Sequence, residues 1–197
     1  MVLTMVSCGQ EKLCRIHGTV SNPDLNDACI YLIAFDKSIR DSVGVDSAFI
    51  KDGKFEITTP KNMIGILRMD YHHRYGTEEL LVVEEPGDVY VHIDSVSYGK
   101  GTKHNDIIQE WKDLTSKASF ARSPLLKMSY QARHSDNPSA EFPLRAKADS
   151  LFIEYMHQTR ALAEKCDEGP LREFLIGRIP PKFTKTNPDG TTEAIDL

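Results

Sequence analysis

The feature that most constrains this chain is a tight reversal at Asp52-Gly53, inside the segment SVGVDSAFIKDGKFEITT (residues 42–59). An Asp-Gly pair between apolar runs supplies the two positive-φ residues that a two-residue turn requires, so the segment predicts a β-hairpin. The pairs expected to face each other across the ribbon are Ile50 with Phe55 and Ala48 with Ile57. The opposite side of the ribbon carries Val43, Val45 and Phe49. Because both sides are apolar, we expect the hairpin to lie within a larger β-structure.

The β pattern extends on both sides of this hairpin, from Leu13 to Val96. Apolar and polar residues alternate over residues 14–20, whereas residues 28–35 are apolar on both faces and predict a central strand. Further strands are expected at residues 63–69, 80–83 and 89–93. Pro86-Gly87 fits the middle of a type II turn, which predicts a second hairpin with Leu80, Val82, Val91 and Ile93 on one face. About seven short strands separated by turns indicate an antiparallel β-sandwich or barrel-like domain.

Cys14 and Cys29 lie on the first two of these strands, which we expect to pair antiparallel across the intervening loop. In that register the two cysteines are about 17 Å apart at the usual rise per strand residue. A disulfide cannot span this distance, so both are predicted to be free, buried thiols.

A helical extension is expected over residues 99–177. Thr102 can cap a first helix that Pro124 should disturb, and a second helix runs from about Pro143 to Lys165, before Gly169-Pro170. The apolar positions of the first helix are Ile107, Ile108, Trp111, Leu114 and Ala118. We expect two antiparallel helices, with Trp111 and Phe152 as bulky anchors, to pack on one face or end of the sheet. The fold class is therefore mainly β with an α extension.

Residues 1–12 (MVLTMVSCGQEK) resemble the end of a bacterial lipoprotein signal, in which the cysteine becomes the lipidated N-terminus. Seven residues precede Cys8, fewer than the roughly 15–30 of a complete signal, so the segment is interpreted as a clipped signal and anchor. Lipidation at Cys8 would attach the protein to a membrane facing the periplasm. The alternative is an ordinary terminus with an unmodified cysteine.

Several segments together resemble a domain of unknown function found at the N-terminus of many envelope lipoproteins of the thiol-disulfide oxidoreductase type. The most specific of them is Val45-Asp46-Ser47-Ala48 followed by Asp52-Gly53-Lys54-Phe55-Glu56. The supporting segments are Arg15-Ile16-His17-Gly18, Ile30-Tyr31-Leu32, Glu85-Pro86-Gly87-Asp88-Val89, Gly101-Thr102 and Asn105-Asp106. The resemblance covers about Leu13 to Lys112 and implies a β domain over residues 13–98, in a protein connected with cell redox homeostasis at the outer membrane.

The tail, residues 178–197, is similar to the opening hairpin of a thioredoxin-like domain of the alkyl hydroperoxide reductase and thiol-specific antioxidant superfamily. In that family the C-x-x-C motif follows this hairpin, and no C-x-x-C occurs among the four cysteines of this chain. No catalytic residue is therefore carried over. Because an isolated two-stranded ribbon is marginal in water, the last ~20 residues are expected to be disordered, to borrow a sheet edge or to mark a truncation.

Candidate chemical groups elsewhere favour structural roles. His72-His73, with His17 and His92 on nearby strands, is the most metal-like group, but adjacent histidines on a strand point to opposite faces and match no zinc pattern. Asp46 is expected on a buried face as an acceptor for backbone or Ser47, and Cys166 in the core of a helix pair. The net charge of −5, with no basic run, argues against nucleic acid.

The sequence thus predicts an envelope lipoprotein module without enzymatic activity, cofactor or metal. It would bind or position an envelope protein partner or a downstream thioredoxin-like domain. Two alternatives stay open. The chain could be a fragment of an active disulfide reductase whose C-x-x-C domain lies beyond Leu197, or a stand-alone periplasmic protein that binds a glycan or peptide.

Overall fold

The computed structural model describes residues 13–35, 46–69 and 79–197. The chain divides into two compact units, Met1–Asp106 and Ile107–Leu197. The described strands of the first unit are β1 (Cys14–Val20), β2 (Cys29–Ala34), β3 (Asp46–Phe49), β4 (Lys54–Thr59), β5 (Met63–Arg68), β6 (Glu79–Glu84), β7 (Gly87–Ile93) and β8 (Tyr98–Lys100). The remaining elements are α1 (Lys103–Arg133), which begins in the first unit, then α2 (Glu141–Lys165), α3 (Pro170–Ile176), β9 (Lys182–Thr186) and β10 (Thr192–Asp196).

The strands of the first unit form two four-stranded sheets in a sandwich-like arrangement. The β1 sheet has the order β4-β1-β7-β8, and the β2 sheet has the order β3-β2-β5-β6. All neighbouring strands are antiparallel except β1 and β7, which are parallel. The predicted mainly β sandwich with a helical extension is confirmed, and the sheets stay open and do not close into a barrel.

The core lies between the two sheets and draws on both. In β1 the side chains of Cys14, Ile16 and Val20 point inward, as the alternating pattern predicts. They pack in one cluster with side chains from the β2 sheet, including Ile30 and Leu32. Burial of each large aliphatic side chain contributes about 1.5–3 kcal/mol, so this shared cluster is the main force that joins the sheets.

The turn at Asp52-Gly53 forms as predicted, with φ angles of 51° and 68°. Lys51 and Lys54 exchange backbone hydrogen bonds of 2.8 and 2.9 Å across it. The predicted ladder beyond the turn is wrong, because β3 pairs with β2 whereas β4 pairs with β1 in the other sheet. Phe49 was expected on the second apolar side of the hairpin, covered by further β-structure. Its side chain is instead 64% exposed. Val43 and Val45 lie outside the described residues.

Two other strand pairings differ from the sequence-based expectation in the same way. The predicted hairpin at Pro86-Gly87 does not form a ladder, since β6 pairs with β5 and β7 pairs with β1 and β8. β1 and β2 also lie in different sheets. The alternation of apolar residues predicts which face of a strand is buried, but it carries no information on which strand lies alongside. The predicted inward face of the second pair is nevertheless correct, because all four of its residues are in the core: Leu80, Val82, Val91 and Ile93.

In the second unit, α1 and α2 run antiparallel, as side-chain contacts along both helices show. Lys165 contacts Glu110 at one end, Thr115 bonds to Tyr155 at 2.9 Å, and Arg133 pairs with Glu141 at the other end. Pro124 does not end α1, which continues to Arg133. Over the described residues, no helix is both long enough and apolar enough to span a bilayer.

The predicted anchors and the tail also lie in this unit. Trp111 packs edge-on against Phe174 of α3, with ring centroids 5.2 Å apart. Phe152 packs against Phe183 of β9 at 4.7 Å. β9 and β10 form a separate two-stranded ribbon, and β9 is tied to α2 by a 3.0 Å bond from the Thr186 amide to Asp149. The expectation of a disordered tail is therefore wrong, because α2 supplies the cover that an isolated ribbon lacks.

Gly18 of β1 allows the Phe55 ring to approach the β1 backbone closely, and a substitution at Gly18 tests this packing. Gly18 is opposite Phe55 of β4, and a Cβ atom at Gly18 would lie 2.0 Å from the Phe55 ring. We expect Gly18→Ala to lower the free energy of unfolding by about 1–3 kcal/mol through overpacking, measured by urea denaturation. In a Phe55→Leu background the same alanine should cost clearly less. An equal cost in both backgrounds would contradict this assignment.

Candidate functional site

The residues singled out as candidate sites from the sequence are distributed unevenly over the described chain. Cys8 lies outside the described residues, so lipidation stays a prediction. His72 and His73 also lie outside them. His17 and His92 are on neighbouring strands, β1 and β7, as expected. Among the described residues, no group of three or more His, Cys, Asp or Glu side chains is arranged to hold a metal ion.

The outer face of the β1 sheet gathers the chemically richest side chains of the first unit. The strand registers place eight of them in two rows that run across all four strands. The first row consists of Lys54, Thr19, His92 and Tyr98. The second row consists of Glu56, His17, Tyr90 and Lys100. We call these eight residues the His–Tyr face.

Two tyrosines stand out on the His–Tyr face because they are exposed although large and aromatic. Tyr90 is 52% and Tyr98 is 44% exposed. Tyr90 stacks on the His17 ring, with centroids 5.2 Å apart and planes at 22°. Tyr98 leans on the His92 ring, with centroids 5.4 Å apart. Each tyrosine ring is thus supported by a histidine in its own row.

The surroundings of His17 favour the protonated form of its ring. Its Nε2 atom bonds to Asp88 at 3.0 Å, and its Nδ1 atom bonds to Glu56 at 3.2 Å. A carboxylate only accepts hydrogen bonds, so both ring nitrogens must carry protons. The bond to Asp88, supported by Glu56, raises the pKa of His17 above its ordinary 6.5. A doubly protonated ring is neither a metal ligand nor a general base.

His92 is held by hydroxyl groups. Its Nδ1 atom lies 2.8 Å from Thr19 Oγ1, and its Nε2 atom lies 3.0 Å from Ser21 Oγ. Asp94 is farther from Nε2, at 3.8 Å. Because both ring nitrogens have protein partners, the orientation of the His92 ring on this surface is fixed.

Four polar groups of the His–Tyr face remain available to a ligand. Within the described part of the chain, the ammonium groups of Lys54 and Lys100 form no ion pair, and the hydroxyls of Tyr90 and Tyr98 have no hydrogen-bond partner. A shallow pocket of about 240 Å³ lies among them, over Gly18 and Val91. This combination of supported aromatic rings and available polar groups is typical of a binding surface.

A second pocket lies in the other unit, between α2 and the β9–β10 ribbon. Its volume is about 540 Å³, and its apolar lining comes from Ile153, Ala161 and Ile195. Polar side chains at its rim include His157 and Lys185.

A buried polar cluster joins the two sheets at one end of the sandwich. Glu84 of β6 is 1% exposed and accepts a 2.9 Å bond from Thr59 of β4. Burial raises the pKa of Glu84, although Thr59 and the nearby Lys61 ammonium oppose this. Asp46 pairs with Lys61 at 2.6 Å, and its side chain is 37% exposed. Asp46 is therefore an ion-pair partner at the surface, and its predicted burial is wrong.

Two of the three cysteines in the described part of the chain are buried. Cys14, Cys29 and Cys166 form no disulfides, as expected for the first two, but Cys29 is only partly buried, so its predicted burial is wrong. Cys14 is 1% exposed, and burial raises the pKa of its thiol to about 11. A thiol must ionise to act as a nucleophile, so Cys14 is inert at neutral pH. Cys166 is buried, as predicted.

Sequence reasoning found the parts of the His–Tyr face but not the face itself. The predicted inward face of Val91 and Ile93 leaves Tyr90 and His92 on the opposite side of their strand, and the alternation over residues 14–20 leaves His17 on the polar side of its strand. The missing element was the parallel pairing of β1 with β7, which aligns His17 with Tyr90. The only sequence signal for this pairing within the two strands was that β1 and β7 both alternate between apolar and polar residues.

Comparison with known proteins gives one match, to a family model. Residues 14–108 match the model of a family described as Domain of unknown function (DUF4369). The match runs from β1 to the start of α1 and supports a domain of unknown function over these residues. No curated protein and no solved structure matches the chain.

The charge state of His17 gives one testable consequence of this geometry. NMR titration of the His17 ring should give a pKa above 6.5, because Asp88 stabilises the protonated ring. The cationic ring stabilises the fold below about pH 6.5, and this contribution is lost as pH rises through the folded-state pKa. Asp88→Asn should lower the pKa of His17 more than Glu56→Gln does. A pKa below 6.5, or one unchanged in Asp88→Asn, would contradict the assignment.

Glu84 gives a second consequence, with a different pH range. Its raised folded-state pKa means that stability is full below its ordinary pKa of 4.5 and falls as pH rises through the folded-state pKa. Glu84→Gln stays neutral, so its gain in unfolding free energy over the wild type should be larger at about pH 8 than at about pH 4. Urea denaturation measures this difference. The exposed Glu164→Gln should show no such trend, and an equal effect at both pH values would refute the role of Glu84 ionisation.

Proposed function

We propose that this chain is a non-catalytic binding or positioning module of the cell envelope, and that the His–Tyr face is its binding surface. The observation that carries the proposal is the set of supported tyrosine rings and available ammonium and hydroxyl groups on one exposed sheet face. Exposed aromatic residues in a pocket with convergent polar groups are the usual features of a recognition site.

The state of the histidines favours binding over catalysis at this face. A general base needs a ring nitrogen that can accept a proton, and both nitrogens of His17 are occupied by carboxylates. Both nitrogens of His92 are bonded to hydroxyls. Asp94 lies 3.8 Å from His92 Nε2, beyond hydrogen-bond distance, and Ser21 is bonded to the same nitrogen, so these groups do not form a hydrogen-bonded series of nucleophile, base and orienting acid.

The cellular setting of the proposal follows from the sequence resemblance. The cysteine of residues 1–12, Cys8, would carry acyl chains that anchor the module to a periplasm-facing membrane. The module would then stand beside, or in front of, a thiol-disulfide oxidoreductase, and its face would hold that enzyme's substrate or partner near the membrane. The chain's own buried Cys14 is consistent with a role that involves no thiol chemistry.

A second candidate is that the chain is part of an active disulfide reductase. The ordered β9–β10 ribbon favours it, because the tail resembles the opening hairpin of a thioredoxin-like domain and does form a hairpin. In this case the C-x-x-C motif would lie beyond Leu197, and residues 13–177 would be its non-catalytic portion.

Site-specific photocrosslinking in native cells tests the binding surface. A photoreactive phenylalanine analogue at Tyr98 should give a defined adduct with an envelope component, because Tyr98 lies on the His–Tyr face. The same analogue at Tyr130, which is 66% exposed on α1, is the matched control. Adducts that form equally at both positions, or at neither, would reject the His–Tyr face as the binding surface.

The intact mass of the protein from native membranes tests its setting. A mass that matches residues 8–197 plus acyl chains would support a lipid-anchored module and count against the reductase. A mass larger by a further domain, on the order of 100–150 residues, would favour the reductase. An unmodified mass that includes Met1 would reject lipidation.

A further inference from the structure

The His–Tyr face presents only side chains to a ligand. β1 lies between β4 and β7, and β7 lies between β1 and β8, so the backbone groups of both central strands are used in the sheet. An extended peptide that adds to a sheet obtains its affinity from main-chain bonds at an open edge. The centre of this face offers no such edge. Its ligand must therefore be recognised by ring faces, hydroxyls and charges.

The two tyrosines form a platform of neighbouring rings. Tyr90 and Tyr98 lie on adjacent strands. Their ring contacts with His17 and His92, respectively, restrict their orientation. Rings that are already positioned lose little conformational freedom when a ligand stacks on them. A tyrosine ring combines an apolar surface with a polar tip, which suits a ligand that has apolar faces and hydroxyl edges. Pyranose rings have this character.

The charge of the face points to a ligand with negative groups. Lys54 and Lys100 occupy opposite corners, on the edge strands β4 and β8 and in different rows, so three inter-strand spacings and two residues along the strand separate them by about 16 Å. The nearby carboxylates Glu56 and Asp88 are both bonded to the His17 cation. Arg15 also lies on this side of β1, 4.0 Å from Asp88. With His17 protonated, the two lysines, His17 and Arg15 supply four positive charges against the three carboxylates Glu56, Asp88 and Asp94, so the face has a net charge of +1, although the chain as a whole carries −5. Asp94, 3.8 Å from His92, lies at the end of β7 outside the two rows.

From this arrangement we infer that the His–Tyr face binds an acidic oligosaccharide. Sugar rings stack on Tyr90 and Tyr98, and carboxylates of separate sugars reach Lys54 and Lys100. The separation of the two lysines calls for a chain of several sugars and not a single one. This inference rests on the proposed function, because it names the ligand class of the same surface.

Calorimetric titration of the full chain with three probes tests the inference. The probes are hexagalacturonate, the uncharged cellohexaose and hexaglutamate. We expect hexagalacturonate to bind at least about tenfold more tightly than either of the others, with an affinity that falls as salt rises. Tyr90→Ala and Tyr98→Ala should each weaken binding about tenfold, which corresponds to the loss of one stacked ring.

Charge variants and matched controls separate the two parts of the recognition. The double variant Lys54→Ala/Lys100→Ala should weaken hexagalacturonate about tenfold and reduce the salt dependence. The same double variant should change the affinity for cellohexaose only slightly. Tyr130→Ala and Lys147→Ala, exposed positions in the second unit, should leave all affinities within about twofold. Circular dichroism melts verify that the face variants remain folded.

Each other outcome overturns the inference in a distinct way. Equal affinity for cellohexaose and hexagalacturonate would show that charge is not recognised. Hexaglutamate bound as tightly as the sugar would identify an acidic peptide as the ligand. No binding of any probe would reject the inference, whereas the proposed function would still stand if photocrosslinking captured a partner at Tyr98 alone. Loss of that crosslink as well would reject both.

Discussion

The rest of the first unit depends on the hydrophobic core that the two sheets share. The Asp52-Gly53 turn holds together the chain segments at one end of this core. The Val20 amide donates to Gly53 on one side of the turn, and the Asp27 amide donates to Ile50 on the other, both at 2.8 Å. The side chain of Asn26 also accepts from the Asp52 amide. The turn is thus bonded to the end of β1 and to the loop that leads into β2. It brings Ile50 and Phe55 into the same core from opposite layers.

This construction explains which parts of the fold could be predicted. The Asp-Gly turn is a local property, because its positive φ angles need only two suitable residues. Burial is also local, since β1 alternates as its sequence indicates. Strand partners are not local. The contact between His17 and Asp88 joins residues 71 positions apart, and no pattern within either strand specifies it. The sequence therefore predicted that His17 and His92 lie on nearby strands, but not the contacts of His17 with Asp88 and Tyr90 on which the candidate site depends.

The residues near the start of α1 that carry the family resemblance have structural roles in the first unit. Glu85 accepts bonds from the His104 amide at 2.8 Å and from its ring at 2.7 Å. The Asn105 side chain bonds to both the amide and the carbonyl of Val83, at 2.9 and 2.8 Å, and so acts as a short strand partner. These bonds hold the end of β6 to the first turn of the helix. Such residues specify a fold, whereas a ligand is specified by outward side chains that the core does not constrain.

The buried thiols narrow what such a module could contribute to thiol-disulfide chemistry. Exchange begins with attack by a thiolate, and Cys14 is both enclosed in the core and shifted to a pKa of about 11. Cys166 is enclosed by its own helix pair and bonds to the Leu162 carbonyl at 3.4 Å. Neither sulfur can meet a disulfide without local unfolding. Under the proposed association, Cys14 and Cys166 therefore take no part in the exchange step, and the exposed sheet face is the surface that we propose for binding.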